Sequence, residues 1–171
     1  EKDRFVEDVI TKLKLGPIRH TVVGGGESSR SGISPGARKL VNIAVELVSK
    51  PACMFLDEPT TNLDASSAMN VATIVNGLAK SSMTCVAVIH QPRKEIFSLI
   101  DDLVLLVPGG RMAYNGPANR TIDWFAYVGY ELKVKSMNTA DFIIDLASGN
   151  FEACGIMRDK SAPAVDWAQL W

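Results

Sequence analysis

Apolar residues along this chain switch between two periods, one near 3.6 residues and one with no polar interruption, and the switches fall at Pro and Gly. Phe5, Val6, Val9, Ile10 and Leu13 recur at helical spacing among charges, and Gly16-Pro17 stop the pattern. This predicts one amphipathic helix within residues 1–15. A loop rich in Gly and Ser follows from Arg19 to Ser31, and it includes Gly24-Gly25-Gly26. From Ala37 to Ser49, Leu40, Val41, Ala44, Val45, Leu47 and Val48 form a second helical stripe. Ser34 and Pro35 stand where a cap and a first-turn residue belong, and Pro51 is expected to end the helix.

Ala52 to Leu56 is too short for a helix and has no polar residue, so it reads as a strand buried on both faces. After a turn through Pro59, Thr60 and Thr61, the positions Ala68, Val71, Ala72, Val75, Leu78 and Ala79 predict a helix capped by Asp64 or Ser66. Thr84 to Ile89 is β-branched and apolar and ends on His90. Strand, helix and strand in that order imply a parallel crossover.

Further on, the pattern predicts a short helix over Arg93–Ile100 and a hairpin of Leu103–Val107 with Arg111–Tyr114 around Pro108-Gly109-Gly110. Asn115-Gly116-Pro117 reads as a turn into a helix around Ile122, Trp124, Phe125 and Val128, closed by Gly129. A last helix is expected over residues 139–147. Periodicity fades beyond Gly149, so 150–171 reads as a tail or linker. The fold class is α/β, a mostly parallel sheet with flanking helices, and no internal repeat is present.

Composition narrows the function classes. The 171 residues carry 18 Lys and Arg against 19 Asp and Glu, a net charge of −1. No basic footprint for nucleic acid exists. Cys53, Cys85 and Cys154 are widely spaced, which suggests neither a disulfide framework nor a Cys-x-x-Cys metal site and fits a reduced, intracellular setting. No apolar run approaches the length of a spanning helix, and no signal-peptide pattern opens the chain. The first residue is Glu1 rather than Met, so a segment of a longer protein is expected.

The candidate chemistry sits at Asp57 and Glu58, adjacent carboxylates at the carboxyl end of the first strand, where open parallel sheets bind ligands. Such a pair suits a magnesium nucleotide site: one carboxylate holds the hydrated metal, and its neighbour faces a water as general base. The Gly24-Gly25-Gly26 run is followed by Glu-Ser-Ser rather than Gly-Lys-Ser/Thr, so it reads as a connector and not a phosphate cradle.

Four stretches resemble the ATP-binding cassette ATPases, in that family's order and spacing. Ile33-Ser34-Pro35-Gly36-Ala37 is similar to the signature sequence, usually Leu-Ser-Gly-Gly-Gln. Phe55-Leu56-Asp57-Glu58-Pro59-Thr60 is similar to the Walker B motif, Thr61-Asn62-Leu63-Asp64 to the D-loop and Ile89-His90-Gln91-Pro92 to the switch histidine. Arg38-Lys39-Leu40-Val41-Asn42-Ile43, Tyr114-Asn115-Gly116-Pro117 and Thr139-Ala140-Asp141-Phe142 resemble the G subfamily, transporters whose ATPase module precedes the membrane domain.

The resemblance covers residues 1–149 and implies a P-loop NTPase-like fold, of which this is the carboxyl-side part from signature helix to the region after the switch histidine. It implies ATP and Mg2+ as ligands. Ser34 and Gly36 would bind the terminal phosphate held by a second nucleotide-binding domain. Asp57 would hold magnesium through water, Glu58 would polarise the attacking water, His90 would contact the terminal phosphate, and Asp64 would reach the facing module or simply cap its helix.

The other implied partner is a membrane domain of the same parent chain, reached through 150–171, with the ATPase on the cytoplasmic side. Two alternatives are a soluble ATPase of the same family and a catalytically silent partner module. Three departures stand out: Pro35 replaces a Gly and so lacks an N–H, Ala37 replaces Gln, and Leu40 stands where a basic residue is common. No Gly-x-x-x-x-Gly-Lys-Ser/Thr occurs anywhere in the chain, and the 171 residues alone are expected not to hydrolyse ATP.

Overall fold

A computed structural model describes residues 2–24, 32–81, 83–132, 138–148 and 156–158. Gly25, Gly26 and the rest of the connector to Ser31 lie outside the described residues, as does most of the 150–171 tail. The chain forms two compact units, Glu1–His90 and Gln91–Trp171.

In the first unit, helix α1 (Lys2–Lys12), a short 3-10 turn (Gly16–Ile18) and helix α2 (Pro35–Leu47) precede strand β1 (Cys53–Asp57), helix α3 (Ala65–Lys80) and strand β2 (Thr84–Val88). β1 and β2 pair in parallel, from Cys53 opposite Thr84 to Asp57 opposite Val88, so α3 is the expected crossover. Leu40, Ile43 and Leu47 of α2 and Val71, Ile74 and Leu78 of α3 recur at the same i, i+3, i+7 spacing. They meet Leu13 and Met54 in one core, with Leu13 and Val71 fully enclosed.

Two expectations need correction here. β1 is not buried on both faces: Met54 is 5% exposed but Phe55 is 78% exposed, and Val86 and Val88 beside it on β2 are open as well. The helices of this unit cover only the face that carries Met54. α2 ends at Leu47, two residues short of the Ser49 to which the stripe ran. Pro disfavours helical geometry in the residue before it, and Lys50 takes a left-handed φ of 53°. Its amide caps the Leu47 carbonyl at 3.0 Å, and its ammonium lies 4.4 Å from the centre of the Phe5 ring of α1.

The second unit contains α4 (Lys94–Phe97), β3 (Asp102–Val107), β4 (Arg111–Pro117), α5 (Thr121–Tyr127), β5 (Tyr130–Leu132), α6 (Thr139–Ser148) and β6 (Ile156–Arg158). β3 and β4 form the expected antiparallel hairpin, turned by Gly109 and Gly110 at φ of 90° and 73°. β4 runs through Asn115-Gly116-Pro117, which the sequence suggested as a turn. A bulge at Leu105/Leu106 sets the register, and Pro117 is the strand's last residue, where a missing N–H is tolerated.

α4 is shorter than the expected Arg93–Ile100 because the chain tightens after Phe97 into i+3 bonds, Leu99 to Ile96 and Ile100 to Phe97. The core of this unit is built on an edge-to-face contact of Phe125 and Phe142, ring centres 6.2 Å apart, with Ile143 and Leu146 around it. β5 and β6 pair antiparallel, Tyr130 opposite Arg158, in a stretch too short to show alternation in the sequence.

Candidate functional site

The start of α2 is fixed by Ser34. Its backbone is extended, its Oγ accepts a hydrogen bond from the Ala37 amide at 3.2 Å, and its carbonyl accepts from Arg38 at 2.9 Å. Pro35 then occupies the first helical position, where the N–H it lacks would have had no helix partner. Of the first three helical residues, Pro35 has no amide and Ala37 gives its amide to Ser34 Oγ, which leaves Gly36 as the one whose amide has no helix or cap partner. Gly36 is itself buried: a Cβ there would lie 3.0 Å from the Ser67 Cβ. Its lack of a side chain therefore also serves the close approach of α2 to α3.

The helix presents two faces. Leu40, at 4% exposure, belongs to the core, so a basic residue at that position would be buried. Pro35, Arg38, Lys39 and Asn42 fall at i, i+3, i+4 and i+7 on the other side and line a cleft of about 370 Å³ with Asp57, Glu58, Thr61, Asn62 and Leu63.

Across the cleft, β1 ends on Asp57, which is exposed, and the chain reverses at Glu58, which is half-buried with a left-handed φ of 44°. The Glu58 amide extends the sheet by donating to the Val88 carbonyl at 3.0 Å. Its own carbonyl accepts from the Thr61 amide at 3.3 Å and from Lys39 Nζ at 3.1 Å. The two adjacent acids thus stand at one lip of the cleft, facing the polar side of α2.

Asp64 lies just past this cleft and caps α3: its Oδ1 accepts from the Ser66 and Ser67 amides at 3.0 and 3.1 Å. Of the two caps the sequence allowed, Asp64 is the one used. Hydrogen bonding from the Ser67 side chain, then from the Ser67 amide, holds its carboxyl below the usual range.

His90 is exposed two residues beyond β2, the strand paired with β1, and among the described residues it makes no hydrogen bond. Ser34 and Gly36 flank Pro35 at the head of the helix and do not themselves line the cleft. The structure therefore brings Asp57 and Glu58 together, places Asp64 at the rim and leaves His90 at the end of the neighbouring strand.

Lys39 was not singled out from the sequence, although it stands four residues after Pro35 on the polar stripe of α2, and that periodicity was readable. Cys53 and Cys85 are free; burial, then the neighbouring Cys53, pushes the Cys85 thiol up, so it is no activated nucleophile.

Among the described residues no group of three His, Cys, Asp or Glu side chains could hold a metal. Magnesium does not require one, since it takes one or two carboxylates and completes its shell with water and phosphate oxygens. The exposed oxygens of Asp57 fit that demand. No described helix is long and apolar enough to cross a membrane.

Comparison with known proteins gives the family. Residues 1–61 match the family model described as ABC transporter, and residues 90–170 match the one described as ABC-2 type transporter. The chain is 40% identical over 152 residues to ABC transporter G family member 1 of Dictyostelium discoideum, covering 89% of this chain and 19% of that protein. It is 39% identical over 158 residues to the broad substrate specificity ATP-binding cassette transporter ABCG2 of Sus scrofa, covering 92% of this chain and 24% of that one.

ABC transporter G family member 37 of Arabidopsis thaliana is 40% identical over 156 residues, 88% of this chain and 11% of its own length. The chain therefore spans a quarter or less of the length of these relatives. In structure it is similar to the ADP conformation of MJ1267, an ATP-binding cassette of an ABC transporter, with a TM-score of 0.55 at 20% identity over 69% of this chain and 44% of that one. That likeness gives the P-loop NTPase fold of ATP-binding cassettes, and with the sequence relatives it means that the chain belongs to the G family of ATP-binding cassette transporters.

Proposed function

We propose that this chain is the carboxyl-side part of a nucleotide-binding domain, residues 1–149, whose ATP hydrolysis powers movement of a solute across a membrane, with 150–171 leading to the membrane domain. The observation that carries the reading is the pair of carboxylates at the carboxyl end of β1, one exposed and one half-buried, in a polar cleft beside the head of α2. Asp57 would hold magnesium, which would supply neutralisation of phosphate charge there. Glu58 takes the proton of the attacking water.

His90 donates a hydrogen bond to the terminal phosphate. The Ser34 hydroxyl and the Gly36 amide meet the phosphate of a nucleotide held by a second module, where an unpaired helix-start N–H and the helix dipole favour an anion. Asp64 at the rim reaches that second module. The ATPase faces the cytoplasm, and a glycine-rich phosphate loop is supplied by other residues of the parent protein, so the 171 residues alone do not hydrolyse ATP.

The test is turnover by the complete parent transporter carrying Glu58→Gln. Loss of roughly 10² to 10⁴ in rate, with ATP binding retained, is expected. Unchanged turnover would overturn the reading, as would magnesium-dependent hydrolysis by the purified 171-residue chain.

A further inference from the structure

The reversal at Glu58, with its left-handed φ, is backbone geometry that an L-residue adopts only at a cost. Such a conformation persists only where the surroundings hold it. Here the peptide is held on both sides: the amide by Val88 of β2, the carbonyl by Thr61 of the following turn and by Lys39 of α2. The first two are main-chain bonds that any sequence could make. The third depends on one side chain, partly buried, crossing the cleft from a different element.

An ammonium on a carbonyl is a charge-assisted bond, stronger than a neutral one. It aims the peptide from which the Glu58 carboxylate projects. We propose that Lys39 is a positioning residue for the general base, fixing the Glu58 backbone through its carbonyl so that the carboxylate is aimed before substrate arrives.

This rests on the reading of Glu58 as the base, and the two can be tested apart. In the complete transporter, Lys39→Met keeps the length of the side chain and removes its donor. The expected result is a fall in kcat of about ten- to a hundredfold, the scale of one lost charge-assisted hydrogen bond. KM for ATP and the melting temperature should hold, and Lys39→Arg should restore most of kcat.

Because Lys39 acts through Glu58, adding Lys39→Met to Glu58→Gln should cost nothing further. A full kcat in Lys39→Met alongside an inactive Glu58→Gln overturns the positioning role alone. A lowered melting temperature and raised KM with no rescue by Arg overturns it in favour of plain packing. An active Glu58→Gln removes the base and its positioning residue together.

Discussion

Two caps illustrate how single residues set this unit's geometry. Ser34 fixes the first turn of α2 through the Ala37 amide. Replacing it with Ala should cost about 1 kcal/mol in urea unfolding, and Ser34→Asn should recover most of that, since either side chain supplies the oxygen. Asp64 adds a pH dependence. Hydrogen bonds from Ser67 hold its carboxyl below the ordinary aspartate range in the folded chain, so its contribution is present in full above the unfolded value and is lost as pH falls through the folded one. Comparing melting temperature against pH for the native chain and Asp64→Asn, the native chain should lose ground to the variant as pH falls below about 4, the ordinary aspartate value. Parallel curves would mean that the cap does not titrate with folding.

At the scale of elements, the contact of α2 with α3 turns on Gly36. A side chain there meets Ser67 at 3.0 Å, and overpacking of this kind costs about 1 to 3 kcal/mol. Gly36→Val should therefore destabilise, and the loss should shrink in a Ser67→Gly background. Additive losses would remove the close approach as the reason. The sequence carried this contact only as a motif glycine, because nothing local says which helix will lie against it.

What is local was legible. The helical stripes of α1, α2 and α3, the Ser34 cap, the parallel β1–α3–β2 unit and the β3–β4 hairpin all follow from period and punctuation. Asp57 and Glu58 could be placed at a strand's carboxyl end for the same reason. What depends on distant partners was not legible: the open face of β1, the pairing of β5 with β6, the continuation of β4 past Tyr114, and the reach of Lys39 to Glu58. An apolar run such as Ala52–Leu56 reports the character of its side chains and is silent on which face a given set of residues covers.

At the scale of the whole chain, that open face has a consequence. Phe55, Val86 and Val88 lie side by side on the uncovered face of β1 and β2, at 78%, 46% and 61% exposure. Among the described residues these two strands pair only with each other, so each also has an outer edge of unpaired backbone groups. Burying one such side chain is worth about 1.5 to 3 kcal/mol, enough for two copies to gain by stacking these faces or joining edges. A net charge of −1 gives little repulsion to oppose it. The isolated 171-residue chain should therefore self-associate, most strongly near its calculated isoelectric point of about 6.2. Phe55→Lys puts a charge in the middle of the face without touching the core around Met54. It should raise the soluble concentration and lower the scattering mass at neutral pH. If Phe55→Lys associates as the native chain does while a charged substitution on the β3–β4 hairpin abolishes association, the adhesive surface lies in the second unit and not on this sheet.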